Sequence, residues 1–145
     1  TALSLNIDEN KIIDGLKNYK GIPGRTNKKK IENITVIEEI NPGINTKAIE
    51  ASINMLPNDS AYIISIGGDY GITCEEIDEN SVGELIDRLN EDIVLTGEVG
   101  KSISNKVNKK TKVISNPDEV YDFAVENNKK LLFIYRSDYK KLSKR

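Results

Sequence analysis

Tyr62-Ile63-Ile64-Ser65-Ile66-Gly67-Gly68-Asp69-Tyr70-Gly71 decides the fold class. Its first half is rich in β-branched side chains, which suit a pleated strand. Its second half is a glycine turn, where the backbone can bend sharply without side-chain clashes. Toward the N-terminus the same pattern returns. Ile34-Thr35-Val36-Ile37 reads as a strand, and Asn41-Pro42-Gly43 turns the chain. Asn45 or Thr46 then caps a helix carrying Ala48, Ile49, Ile53 and Leu56, stopped by Pro57. Toward the C-terminus a helix carries Val82, Leu85, Ile86 and Leu89, and Ile93-Val94-Leu95 is a strand. Ile103 and Val107 mark a further helix, Lys112-Val113-Ile114 a short strand, and Pro117 the start of a helix with Val120, Phe123 and Ala124 facing inward. Leu131-Leu132-Phe133-Ile134-Tyr135 is apolar at every position, the mark of a central strand covered on both faces. Strands separated by helix-length segments imply parallel pairing with right-handed crossovers. The expected architecture is α/β, an open, mostly parallel, doubly wound sheet of about five or six strands.

Before the sheet, Asp8 can cap a helix with Ile12, Ile13 and Leu16 on one side, and Gly21-Ile22-Pro23-Gly24 breaks it. Residues up to about Lys30 read as a basic connector, and the polar tail from Ser137 has room for one helical turn.

The 145 residues suit one compact domain, and 37% apolar against 30% charged residues marks a globular chain. The net charge of −2 lacks the basic surplus that a general nucleic-acid binder needs, so no nucleic-acid partner is expected. The chain has no histidine, which excludes imidazole catalysis and histidine-ligated metal within it. A single cysteine, Cys74, cannot form an intrachain disulfide, and a reduced, cytoplasmic setting is the natural expectation. No apolar run approaches the ~18 residues of a membrane span, and no membrane partner is expected. The opening Thr1-Ala2-Leu3-Ser4-Leu5-Asn6 is too short for a signal peptide and reads as cut from something longer.

In a doubly wound sheet ligands sit beyond the carboxyl ends of the strands. Three such ends draw attention: Glu38-Glu39 through Pro42, Gly67 through Gly71, and Thr96-Gly97. Side chains alternate along a strand, so one of Glu38 and Glu39 is expected in the cleft, suited to a ribose hydroxyl or a magnesium-bound water. The lack of an Asp where Thr96 stands argues against a phosphorylation receiver. Gly67 and Gly68 would let a ligand or another domain approach the backbone closely. Arg25 lies in the break between the first helix and the sheet, where a guanidinium could reach a phosphate held by a neighbouring domain.

The order of these features resembles the Mur ligases. Asn6 through Arg25, ending in Gly21-Ile22-Pro23-Gly24-Arg25, is similar to the last helix of their central domain and its glycine-proline-glycine-arginine hinge. Asn41-Pro42 resembles the turn after the first strand of their C-terminal domain, Ser65 through Asp69 the glycine turn after the second, and Thr96-Gly97 the pair after the third. Ser115 through Val120 resembles the acidic start of their final helix. The stretches 41–45 and 68–76 are most similar to archaeal members, one of which closes a ring in a nickel-tetrapyrrole coenzyme. Two features depart from the family: Glu38-Glu39-Ile40 replaces its histidine-containing run, and Arg136-Ser137-Asp138 replaces its final glycine turn.

The resemblance implies a Rossmann-like C-terminal domain over residues 25–145, with 1–24 the end of the central ATPase domain and the hinge. It implies an ATP-dependent carbon–nitrogen ligase: carboxylate, amine and ATP give an amide, ADP and phosphate through an acyl phosphate. ATP and Mg2+ would be bound mainly by the central domain of the same polypeptide, with a small-molecule carboxylate and amine as substrates. Arg25, Glu38 and Glu39 would contact ATP. Asn41, Pro42, Gly67, Gly68 and Asp69 would shape the acceptor site, and no residue here would be catalytic or bind metal. The rival expectation is a non-enzymatic α/β module that binds a small molecule or a protein, since fold alone does not decide function. A coding sequence with GxxxxGK[ST] upstream of Thr1 would favour the ligase. The chain has no such phosphate loop. Calorimetry on the isolated 145-residue chain is therefore expected to show no micromolar ATP binding.

Overall fold

The computed structural model describes residues 7–19, 22, 24–57 and 61–142; residues 1–6, Gly21 and Pro23, all named above, lie outside the described residues. The elements are α1 (Glu9–Lys17), β1 (Asn27–Ile31), β2 (Ile34–Ile40), α2 (Thr46–Asn54), β3 (Tyr62–Gly68), α3 (Glu79–Arg88), β4 (Asp92–Thr96), α4 (Gly97–Ser104), β5 (Lys112–Ile114), α5 (Glu119–Glu126), β6 (Lys130–Arg136) and α6 (Tyr139–Leu142). The sheet runs β1-β2-β6-β3-β4-β5. Every pairing is parallel except β1 with β2.

The last strand in sequence stands in the middle of the sheet because it can be buried on both faces. Leu132 and Ile134 join Ile64, Ile66 and Leu95 beneath α2, α3 and α4, through Ile49, Val82, Ile86, Val99 and Ile103. Leu131, Phe133 and Tyr135 point the other way and join Val36, Ile63 and Val94 beneath Val120 and Ala124 of α5. Each fully buried Ile or Leu contributes about 1.5–3 kcal/mol. Helix starts are set by short polar side chains: Asp8, Asn45 and Asp78 accept hydrogen bonds from N–H groups in the first turns of α1, α2 and α3.

Several expectations need correcting. The basic connector is a strand: Asn27 to Ile31 pairs antiparallel with Glu38 to Ile34, turning through Glu32 at φ 49°. Three consecutive lysines hide this signal, yet they suit an edge strand, where charge deters pairing with other chains. Glu38 and Glu39 lie inside β2, which continues to Ile40, and Gly67 and Gly68 end β3 instead of forming a turn after it. β4 passes directly into α4 at Gly97, and that helix ends before Val107. α5 begins two residues beyond Pro117, which is buried in the preceding turn. α1 has its apolar side, but none of its residues is buried. Among the described residues no helix is long and apolar enough to cross a membrane.

The tight run from β4 into α4 depends on Gly100. A Cβ there would stand 2.9 Å from the Leu95 carbonyl carbon and 3.1 Å from the Ile66 oxygen. Gly100→Ala is expected to destabilise by about 1–2 kcal/mol, overpacking outweighing the roughly 1 kcal/mol helix-propensity gain. Gly15 in α1 meets nothing within 4 Å, so Gly15→Ala should raise local helicity instead. Urea titration followed by far-UV circular dichroism separates the two.

Candidate functional site at the carboxyl ends of the strands

At the carboxyl end of the sheet, three backbones approach more closely than side chains would permit. Gly68 pairs with Arg136 of β6 and also bridges to Gly97. A Cβ on Gly68 would press on the Arg136 Cβ at 2.7 Å, and one on Gly97, at φ +69°, on the Tyr135 hydroxyl at 2.5 Å. A Cβ on Gly67 would collide with the Thr96 carbonyl. The glycines thus hold β3, β4 and β6 together where their loops leave.

Asp69 follows directly. Tyr135 donates its hydroxyl to one carboxylate oxygen at 2.6 Å, and Ser137 donates to the other at 2.8 Å. The Asp69 N–H donates to the Arg136 carbonyl at 3.0 Å. The carboxylate is fixed in direction, and the residue remains partly exposed.

Arg136 turns to the other face and is 1% exposed. Its Nη1 donates to Glu76 at 2.8 Å and to the Asp69 carbonyl, and its Nη2 to the Thr73 hydroxyl at 2.6 Å and the Glu75 carbonyl at 2.5 Å. One guanidinium thus ties down the loop from Asp69 to Glu76. Tyr70 anchors the same loop from outside, donating to Glu79, which also accepts from Ser102 at 2.7 Å and pairs with Lys106 at 2.6 Å. Burial works to raise the Glu79 pKa, but bonds from Lys106, Ser102 and Tyr70 outweigh it and hold the carboxyl below its usual range. The stability Glu79 contributes is therefore present above the unfolded carboxylate pKa and is lost as the pH falls through the depressed folded value.

The turn Asn41-Pro42-Gly43 stands across a cleft of about 210 Å³ from this loop, with Arg136 in its floor. Asn41 is buried; its carbonyl oxygen accepts from the Gly43 N–H at 3.1 Å and its amide donates to Glu39 at 2.9 Å. The second Glu39 oxygen accepts from the Thr26 N–H at 2.8 Å and hydroxyl at 3.0 Å. Thr26 sits at φ 47°, an unfavourable region for a β-branched residue, and Glu39 helps hold it there. The Ile40 N–H also donates to the Gly24 carbonyl at 2.5 Å, so the entering segment is tied twice to the end of β2. Arg25 lies between these ties, exposed, and its guanidinium makes no hydrogen bond or ion pair with the described residues.

Glu38 and Glu39 face opposite sides of β2. Glu38 is 4% exposed and paired with Lys29 and Tyr121 on the α5 side, away from the cleft. The structure thus brings Asn41, Pro42, Gly67, Gly68 and Asp69 to one end of the sheet, places Glu39 beside Asn41 and Arg25 near Thr26, and sets Glu38 apart. Sequence reading passed over Arg136 and Ser137 except as a family departure, and Tyr135 except as core. An arginine ending an otherwise apolar central strand was the available signal. Among the described residues no group of three or more Cys, Asp or Glu could hold a metal ion.

This fold is the Mur-ligase type of C-terminal domain. Residues 28–138 match the family model described as "Coenzyme F430 synthetase CfbE, C-terminal domain", and the chain belongs to that family. The coenzyme F(430) synthetase of Methanocaldococcus jannaschii is 36% identical over 102 residues, covering 70% of this chain and 25% of that protein. The chain thus spans about a quarter of this curated relative. A MurF from Acinetobacter baumannii superposes with TM-score 0.66 at 18% identity, covering 95% of this chain and 32% of that one. FolC of E. coli in complex with DHPP and ADP gives 0.65 at 18% identity, covering 90% and 32%. MurF of Thermotoga maritima in complex with ADP gives 0.63 at 16% identity, covering 94% and 32%.

Arg136→Met is expected to cost about 2–3 kcal/mol, because Thr73, Glu75 and Glu76 lose a charged donor. Arg136→Lys should recover part of it. Urea denaturation gives the total, and hydrogen exchange should show the loss of protection concentrated in residues 69–76.

Proposed function

We propose that the chain is the C-terminal domain of an ATP-dependent ligase that activates a small-molecule carboxylate as an acyl phosphate and joins it to a nucleophile. The nucleophile implied by the Mur ligase resemblance is an amine, giving an amide. The observation that carries this reading is the family match over residues 28–138. It is supported by the likeness of the fold to MurF and FolC chains, two of them in complex with ADP. The same match favours a step in the biosynthesis of a nickel-tetrapyrrole coenzyme; a cytoplasmic location is proposed with it from the single cysteine, Cys74.

Residues 1–24 would be the end of the central domain and the hinge, and 25–145 the C-terminal domain. α1 supports the division, because it caps itself, buries none of its residues and leaves Leu16 68% exposed. The rest of the polypeptide would hold ATP and its metal. This domain's part is to close over the nucleotide, exclude water and position the reactants. Arg25 would reach a phosphate on closure, since it is exposed at the point of entry and no described residue pairs with its guanidinium. Glu39 would hold the hinge end in place through Thr26 and Asn41, and Asp69 would meet the acceptor at the carboxyl end of the sheet. Glu38 takes no part in nucleotide contact in this reading, because it is enclosed on the other face.

Arg25→Ala in the full-length enzyme should lower turnover roughly 10- to 1,000-fold with a smaller rise in KM, because a contact made only on closure acts mainly in the transition state. Arg25→Lys should recover part, as an ammonium lacks the fork. Steady-state kinetics and thermal melts of both variants test this. Wild-type turnover in Arg25→Ala would remove Arg25 from the site.

A further inference from the structure

A groove of about 360 Å³ opens on the α5 side of the sheet, on the face away from the cleft. Glu38 lies in its floor, and Tyr121, Phe133, Tyr139 and Ile40 line it. Tyr121 and Phe133 pack at 4.8 Å between ring centroids. Glu38 Oε1 accepts from the Tyr121 hydroxyl at 2.7 Å and forms an ion pair with the Lys29 ammonium at 2.6 Å. Its Oε2 accepts no hydrogen bond from the described residues. Burial, then the charge of Glu38, pushes the Tyr121 phenol far above its ordinary pKa, so it stays protonated and continues to donate.

The Lys29 ammonium also stands 5.2 Å from the centroid of the Tyr121 ring. A carboxylate beside an aromatic face is the chemistry that recognises an organic cation. Lys29 is held less securely than Glu38. It rises from β1, an edge strand paired only with β2, and its side chain is 41% exposed whereas that of Glu38 is 6% exposed. The volume is within the ~300–1,000 Å³ range of small-molecule sites.

We propose that this groove is a binding site for primary alkylammonium ligands, its carboxylate paired in the free domain with the chain's own Lys29. A ligand ammonium takes the place of the Lys29 tip, accepted by Glu38 and stacked on Tyr121, while its alkyl body lies along Ile40 and the aromatic wall. The site also adjoins the entering segment. The Tyr139 ring lies so close to Gly24 that a Cβ on that glycine would stand 2.6 Å from it. An occupied groove therefore touches the same ring that packs against the start of the sheet.

The test uses the 145-residue chain, its Lys29→Ala and Glu38→Gln variants, and n-butylammonium chloride, with n-butanol and sodium chloride as controls. Removing Lys29 strips the buried carboxylate of its cation, so Lys29→Ala should melt at a lower temperature and regain it saturably as butylammonium is added. Its apparent affinity should be about five- to tenfold tighter than wild type, because no internal ammonium competes. Amide shifts in NMR spectra should concentrate around Glu38, Phe133 and Tyr139, and Glu38→Gln should show no saturable response. Equal responses in wild type and Lys29→Ala would overturn the proposal, as would n-butanol matching butylammonium. The comparison of those two chains decides even if Glu38→Gln does not fold.

Discussion

The guanidinium of Arg136 is a full positive charge almost sealed from water, and the arrangement of the cleft follows from satisfying it. A charge so placed is tolerated only with acceptors on several sides. Those acceptors come from the loop after β3: a carboxylate, a hydroxyl and two backbone carbonyls. The loop has little regular structure, so the arginine supplies order that backbone hydrogen bonding does not. Gly68 is part of the same device, since any side chain there would meet Arg136 itself. Asp69 then takes its direction from Tyr135 and Ser137, the residues on either side of Arg136. Three consecutive residues of the central strand and its exit thus arrange the acidic end of the cleft.

The two faces of the sheet differ in how fully they are covered. α2, α3 and α4 pack over one side, where the apolar cluster is continuous. The other side has α5 and the short α6, and toward β1 the cover runs out. A buried carboxylate on that thinner side must find its partners among neighbouring strands and one helix. Glu38 does so with Lys29 and Tyr121, and the space left beside them is the groove. On the opposite face of the same strand, Glu39 is spent on the backbone of Thr26 and the amide of Asn41. Adjacent glutamates therefore serve different ends of the molecule, a direct consequence of the two-residue period of a strand.

Much of this was legible in the sequence because local signals agreed with one another. The β-branched runs marked β2 to β4, the unbroken apolar run of residues 131–135 marked the central strand, and Asn45 and Asp8 marked helix starts. Only β1 was lost, since Lys28-Lys29-Lys30 has the composition of a solvated loop and becomes a strand by pairing with β2. The candidate site was legible in part. Asn41, Pro42, Gly67, Gly68 and Asp69 stood out because turns and glycines are visible in one dimension. Arg136 and Ser137 did not, because their importance rests on partners some sixty residues away.

The sequence by itself determined the fold class, the order and type of most elements, the central position of β6, and the absence of a phosphate loop within this chain. These depend on residue type and short-range spacing, which a linear pattern contains. Only the tertiary structure decided which glutamate faces the cleft side, that Arg136 holds the loop after β3, that Lys29 reaches Glu38, and that one side of the sheet keeps an open groove. Those outcomes depend on strand register and on which distant side chains satisfy a buried charge, and neither is encoded in the spacing of nearby residues.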